Sequence, residues 1–221
     1  MTIIFDLDGT LLNTIDDLGY ACNHALERTG FPTFPIEAYP AKVGNGINNL
    51  IRRALPEDER TEENILKVRE FFVPYYDAHN CDFTRPYDGI PEVLSALKAQ
   101  GHLLAVASNK YQAATEKIVR HFFPSVFDVI LGERVGVERK PNPQIVFDIL
   151  LNLSGEAAPE AEKSVLYIGD SLVDFDTAKS ANVPFVGCAW GFVPENALIQ
   201  AGVPAVIHHP KEILNCAGTI G

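Results

Sequence analysis

"TIIFDLDGTLLNT", residues 2–14, is a short apolar run that ends on two aspartates, a glycine and a threonine. Thr2–Asp8 is short, β-branched and aromatic, and carries no helical period, so it reads as a buried strand. Asp6 and Asp8 are two residues apart. In a regular strand they would share a face, but here the chain is turning. Two carboxylates about 5 Å apart, at an effective dielectric near 20, repel by roughly 3 kcal/mol. A cation, or a proton on one of them, relieves that repulsion. An Asp-Gly turn that closes a strand accounts for the same letters without a ligand. The stretch alone leaves both readings open.

Further short apolar runs follow at Leu103–Ser108, Phe127–Leu131, Ser164–Gly169, Pro184–Ala189 and Ala205–Ile207. From Ile90 onward they alternate with helical patterns: "IPEVLSALKAQG", Gln112–Phe122, Pro143–Asn152, Leu172–Ala181 and Pro194–Gln200. Such alternation predicts βαβ units with right-handed crossovers. The expected fold class is α/β, a doubly wound, Rossmann-like parallel sheet. Residues 14–82 break the alternation, with helical patterns and no convincing strand. Thr14 and Asp17 have the spacing of a capping box, opening a helix to Arg28. "GINNLIRRAL" and "TEENILKVREFFVPYYDAH" supply two more helices. The reading is a core of residues 1–13 and 83–221 with an inserted all-helical cap, residues 14–82. The insert leaves from the carboxyl end of the first strand, where open parallel sheets bind ligands. A cap rooted there would cover the site and exclude water.

A second acidic cluster lies in "VLYIGDSLVD", where Asp170 follows a strand and Asp174 comes four residues later. With a helix starting near Ser171, both could serve only as helix-terminal acids. Yet two strands then present acids at one edge of one sheet. Four converging carboxylates call for a hard cation, and carboxylate oxygens with water suit Mg²⁺. Asp176 reads as a solvated helix residue. "LLAVASNK" ends a strand on Ser108 and Asn109, which either cap the next helix or offer a hydroxyl, an amide and backbone N–H groups to a phosphate. Lys140 in "VERKPNP" precedes Pro141, which favours an extended backbone at the lysine. A helix starts just beyond, so the charge can be aimed at the carboxylate-rich edge. An anionic substrate there needs such a charge.

The 221 residues carry 18 basic and 29 acidic side chains, a net charge of −11. That balance argues against nucleic acid or an anionic membrane as partner, and it means that any anionic substrate needs local help from a cation. Apolar residues make up 47%, enough for a sizeable core. No stretch has the form of a signal peptide, and "VPFVGCAWGFVP" is too short and too rich in Gly and Pro to span a bilayer. Cys22, Cys81, Cys188 and Cys216 are widely spaced, as expected for reduced thiols in a cytosolic protein.

The order "DLDGT", "SN", "KP", "GDSLVD" resembles the haloacid dehalogenase-type phosphohydrolases, in the branch with a helical cap after the first strand. All four motifs fall at predicted strand ends or just before helices, and the resemblance spans essentially the whole chain. Within the family, "KVGNGINNLIRRAL", residues 42–55, and "ASNKYQAATEKIVRHFFP" are similar to phosphoglycolate phosphatases. Asn13 departs from an aspartate more usual in the family, and "QAGVPAVIHHP" lacks an aspartate common after "AG". The resemblance implies a Mg²⁺-dependent phosphatase working through an aspartyl-phosphate. In it Asp6 is the nucleophile, ionised at neutral pH without tuning, and Asp8 the general acid and base. Asp6, the Asp8 backbone carbonyl and Asp170 hold the metal. Asp174 orients waters or holds Lys140. Lys140, Ser108, Asn109 and backbone N–H groups near Leu7 receive the phosphoryl oxygens. In the cap segment, Gly44, Asn45, Gly46 and Lys42 or Arg52 would meet a second negative charge, as on 2-phosphoglycolate. The same segment is also readable as a tight turn with Asn45 capping the next helix. A phosphosugar mutase, an inorganic pyrophosphatase and a non-catalytic phospho-acceptor switch are the alternatives.

Overall fold

The computed structural model describes residues 1–154 and 165–219. In chain order the elements are β1 (Thr2–Phe5), β2 (Leu12–Asn13), α1 (Ile15–Thr29), α2 (Ile47–Ala54), α3 (Glu62–His79), β3 (Arg85–Pro86), α4 (Ile90–Ala99), β4 (Leu103–Tyr111), α5 (Gln112–Phe122) and β5 (Val129–Glu133). After these come α6 (Gln144–Ser154), β6 (Val165–Gly169), α7 (Leu172–Ser180), β7 (Phe185–Cys188), α8 (Glu195–Gln200), β8 (Val206–Ile207) and α9 (Ile213–Thr219).

Six strands form one sheet in the order β5-β4-β1-β6-β7-β8, and every neighbouring pair is parallel. The period-2 pattern of the apolar runs divides the core in two. Ile3, Phe5, Leu104, Val106, Leu166 and Ile168 face one cluster, which α4, α5 and α9 cover. Ile4, Ala105, Ala107, Val165 and Tyr167 face the other, covered by α6 and α7. The α/β, doubly wound class expected from the alternation is the class observed. β1 is central, with β4 on one side and β6 on the other, so the order reverses there. Crevices of this kind open at the carboxyl ends of the strands.

Between β2 and β3 the chain is helical. α1 buries Leu18, Ala21, Cys22, Ala25 and Leu26, a stripe at helical spacing. It stops at Gly30, whose φ of +84° lets its N–H return to the Leu26 and Glu27 carbonyls. α1 packs along α3, which packs on α2. Thr61 caps α3, its side chain accepting from Asn64 N–H.

Several local expectations change. Thr14 and Asp17 make no capping box. The Thr14 side chain makes no cap bond. Its hydroxyl donates to Asp8 Oδ1 at 2.6 Å. Asp17 accepts from Phe83 N–H, Thr84 N–H and the Thr84 hydroxyl. The Asp8 turn, for Thr14, and the distant Phe83–Thr84 segment, for Asp17, won over the local cap. The antiparallel pair β2–β3 matches Leu12 with Pro86 and Asn13 with Arg85. At two residues a side it is too short to show as a pattern. β5 begins two residues later than expected because Phe127 is a core wedge, edge-on to Phe5 and Phe123. Ser164, read as the first residue of β6, lies outside the described residues. Cys22 and Cys188 are buried thiols, and Cys81 and Cys216 are half-buried. Among the described residues, no helix is long and apolar enough to cross a membrane.

Candidate active site

β1 ends at Phe5, and the Asp6 N–H still donates to the Ile168 carbonyl at 2.9 Å, carrying the sheet register one residue further. The chain then turns through Gly9 at φ +89°. A Cβ at Gly9 would lie 2.4 Å from Asp170 Oδ2, so only glycine lets the first turn approach the second acidic cluster. β6 delivers Asp170. Its Oδ2 accepts from Phe192 N–H at 2.7 Å and its Oδ1 from the Thr10 hydroxyl at 3.3 Å. Trp190 Nε1 donates to the Thr10 carbonyl and staples the two loops. The N-cap of α7 is Ser171 rather than Asp170, and Ser171 with Asp174 forms a complete capping box.

Asp174 has a second task. Lys140 Nζ lies 2.7 Å from Asp6 Oδ1, 2.7 Å from Asp174 Oδ1 and 2.8 Å from the Ala107 carbonyl. A lysine only 5% exposed is tolerated because all three of its donors are used. The Asn109 amide holds the lysine's own peptide, donating to the Lys140 carbonyl and accepting from its N–H. Asn109, which also lines the cavity, thus fixes Lys140. Neither Ser108 nor Asn109 caps α5, because β4 runs on to Tyr111. The β4–β5 register shifts between Ala107 and Tyr111. Such an irregularity re-aims side chains at a sheet edge, here Ser108 and Lys110, both lining the cavity. Ser108 Oγ accepts from Lys110 N–H, which leaves the hydroxyl proton to donate.

Asp6, Asp170 and Asp174 each bring a carboxylate oxygen within 4.8 Å of the others, all buried. The expected convergence of four carboxylates is therefore one of three. Asp8 lines the same cavity but stands outside that cluster, its Oδ1 taken by Thr14 and, at 2.7 Å, by Lys110 Nζ. Against three carboxylates stands the one ammonium of Lys140, leaving two negative charges. That balance and the all-oxygen donor set fit a hard divalent cation. Asp174 is the poorest ligand of the three, since Lys140 and Tyr167 occupy its Oδ1 and Ser171 its Oδ2.

The electrostatics agree. Burial first, and the Asp174 charge next, push the Asp6 carboxyl well above its ordinary value, against the pull of Lys140. Asp170 is pushed up to about 7 by burial and by Asp174. Burial would lower Lys140, but Asp174 and Asp6 outweigh it and hold the ammonium well above its usual range. The expectation that Asp6 ionises without tuning is corrected. In the bare protein the site resists its own charges, and a bound cation reverses that.

The cavity above the cluster is about 100 Å³. Gly44, Asn45, Gly46 and Ile47 line it from the helical side, with Phe72 and Tyr76 of α3. Asn45 does not cap α2, whose N-cap is Gly46. Lys42 and Arg52 are not among the lining residues. Lys42 Nζ donates to the Arg53 carbonyl and sits over the Phe34 ring. Arg52 binds Asn49 and Glu62. Leu7 is fully buried, its carbonyl accepting from Leu11 and Leu12 N–H to close the turn. Asp176 is exposed, as expected, and Asn13 accepts from Ile15 N–H. Lys110 and Tyr76 went unassigned from sequence. The letters "SNK" contain the signal for Lys110, but nothing local gives its partners.

The sequence model of the family described as "Haloacid dehalogenase-like hydrolase" matches residues 3–188. A phosphoglycolate phosphatase of Cereibacter sphaeroides is 33% identical over 186 residues, 83% of this chain and 82% of the relative. One from Aquifex aeolicus is 32% identical over 198 residues, 89% and 88% of the two chains. A crystal structure from Lactobacillus delbrueckii subsp. bulgaricus, provisionally named a phosphoglycolate phosphatase, superposes with a TM-score of 0.90. It is 31% identical and covers 98% of this chain and 97% of its own.

Proposed function

We propose, from the premise that this chain belongs to the haloacid dehalogenase-like hydrolases and is a phosphoric monoester hydrolase, that it cleaves a small carboxylate-bearing phosphate ester, 2-phosphoglycolate, through an aspartyl-phosphate on Asp6. The observation that carries the reading is Lys140 Nζ, 2.7 Å from both Asp6 and Asp174, beneath a small roofed cavity. The likeness to proteins named phosphoglycolate phosphatases supports the two-carbon ester as substrate.

The Asp6 carboxylate attacks phosphorus in line and the alkoxide leaves. Thr14 and Lys110 both hold Asp8 through Oδ1, so Oδ2 carries the proton that goes to the leaving oxygen. Asp8 then takes a proton from the water that hydrolyses the acyl-phosphate, which frees inorganic phosphate and restores Asp6. The Ser108 hydroxyl faces the charge that builds on the equatorial oxygens, and the Lys140 ammonium, its donors all engaged, acts on it through its charge alone. Asp6, Asp170 and the Asp8 backbone carbonyl would hold Mg²⁺, which when bound supplies positive charge to the phosphoryl group. Asp174 and Asn109 keep Lys140 in place. Residues 14–82 act as the cap over a core of residues 1–13 and 83–221, and the β2–β3 pair where the chain leaves and returns supports that division. The cytoplasm is the matching compartment.

A survey of phosphate esters with Mg²⁺, read by phosphate release, tests the substrate. 2-Phosphoglycolate is expected to have the highest kcat/KM. Another compound a hundredfold better, a sugar phosphate or pyrophosphate included, would displace it.

A further inference from the structure

Lys110 is the cation that the phosphoryl chemistry leaves over. Among the described residues lining the cavity, the positively charged side chains are Lys140 and Lys110. Lys140 is spent on Asp6, Asp174 and the Ala107 carbonyl. Lys110 stands at the other end. Its side chain is 5% exposed, with Nζ 2.7 Å from Asp8 Oδ1 and 2.8 Å from the Tyr76 hydroxyl. An ammonium has three donors, and these two bonds leave one.

The position is constrained by the substrate's own chemistry. In the proposed reaction the leaving oxygen meets Asp8. A carboxylate two bonds from that oxygen then has to lie on the Asp8 side of the cavity. There the apolar Leu50 and Phe72 would fail to solvate it. The cations of the neighbouring segments are committed elsewhere. Arg53 serves the Lys42, Val43 and Gly44 carbonyls, and Arg139 serves Glu133 and the Asn45 carbonyl.

We propose that Lys110 determines specificity by pairing its remaining N–H with a carboxylate on the leaving group, and that Tyr76 of α3 holds the ammonium in that position. The proposal rests on the carboxylate-ester reading above. It moves charge recognition from the cap segment around Lys42 to the core strand β4, with the helical side contributing the tether.

The test compares two esters of equal length on the full chain with Mg²⁺: 2-phosphoglycolate and the uncharged 2-hydroxyethyl phosphate. The readout is the ratio of their kcat/KM values, because Lys110 also touches Asp8 and its loss affects both esters. The native protein is expected to favour 2-phosphoglycolate by a hundredfold or more. Lys110→Met should cut that ratio at least tenfold, Lys110→Arg should restore part of it, and Tyr76→Phe should lower it severalfold. Equal losses on both esters in Lys110→Met, with the ratio intact, would show that Lys110 acts only through Asp8 and would overturn the proposal. A ratio near one in the native protein would instead overturn the carboxylate reading itself. Should Lys110→Met not fold, Lys110→Arg and Tyr76→Phe carry the comparison, and an unchanged ratio in both counts against it.

Discussion

On the floor of the cavity, Lys140 makes three hydrogen bonds shorter than 3 Å, to Asp6 just past β1 and to groups of β4 and α7. On the roof, Gly44 to Ile47 face the same space with two glycines at positive φ and Asn45 at +62°. Among the described residues, the polar contacts between roof and floor include the buried Lys110–Tyr76 bond, Arg139 on the Asn45 carbonyl, the Tyr111 hydroxyl on Asp77 and Lys117 on the Asp77 carbonyl. The floor is an over-determined network in which each member fixes another. The roof is a loop shaped by backbone freedom and held by its own carbonyls. A fixed charge array suits a transition state whose geometry does not vary, and a loosely tied roof suits a substrate that must enter and leave. The difference says where damage should be severe and where it should be graded.

A severe break falls on Asp8, the proton carrier of the proposed reaction. Asp8→Asn should lower kcat/KM for an alkyl phosphate by about 10²- to 10⁴-fold, the range of general acid catalysis. With a leaving group as acidic as p-nitrophenol, which departs without a proton, the loss should be much smaller. Steady-state assays on both esters check this, and equal losses would argue against proton donation by Asp8.

The floor's charge imbalance makes a second prediction. Asp170 is held at about 7 against an ordinary 3.8. Between those values the folded protein keeps a proton that the unfolded chain has released. Stability of the metal-free protein therefore falls as pH rises through that window. A carboxyl moved that far is worth on the order of 4 kcal/mol. Thermal unfolding of chelator-treated protein should show a lower Tm at pH 8 than at pH 5. Added Mg²⁺ should raise Tm more at pH 8. A metal-free Tm that rises with pH would refute the buried-carboxylate account.

The roof should give the smallest effect. A Cβ at Gly46 would meet Arg139 Nη1 at 2.7 Å, the far end of a flexible side chain, with φ at +82°. With ψ at 170° the backbone lies in a region essentially reserved for glycine, so Gly46→Ala costs about 1–3 kcal/mol of strain. KM should rise severalfold with kcat within about twofold. A kcat collapse would mean that the roof, too, positions reacting groups.

The same contrast explains what could be read from sequence. Asp6, Asp170, Ser108 and Lys140 each read from the sequence as standing at a strand end or before a helix, so local pattern placed them on one edge. Contacts between distant segments were not legible. Asp8 and Lys110 are 102 residues apart, and Tyr76 reaches Lys110 from a helix whose pattern says only that one side is buried. Thr14 and Asp17 had the letters of a cap but were claimed by Asp8 and by the returning strand. Lys42 looked like a cation for the substrate because sequence does not show that Phe34 and the Arg53 carbonyl hold it.

Transfer through Asp6 requires two displacements at phosphorus. Hydrolysis of a substrate made chiral at phosphorus, as an isotopically labelled phosphorothioate, should proceed with overall retention of configuration. Inversion would mean that water attacks directly, and Asp6 would not be the nucleophile.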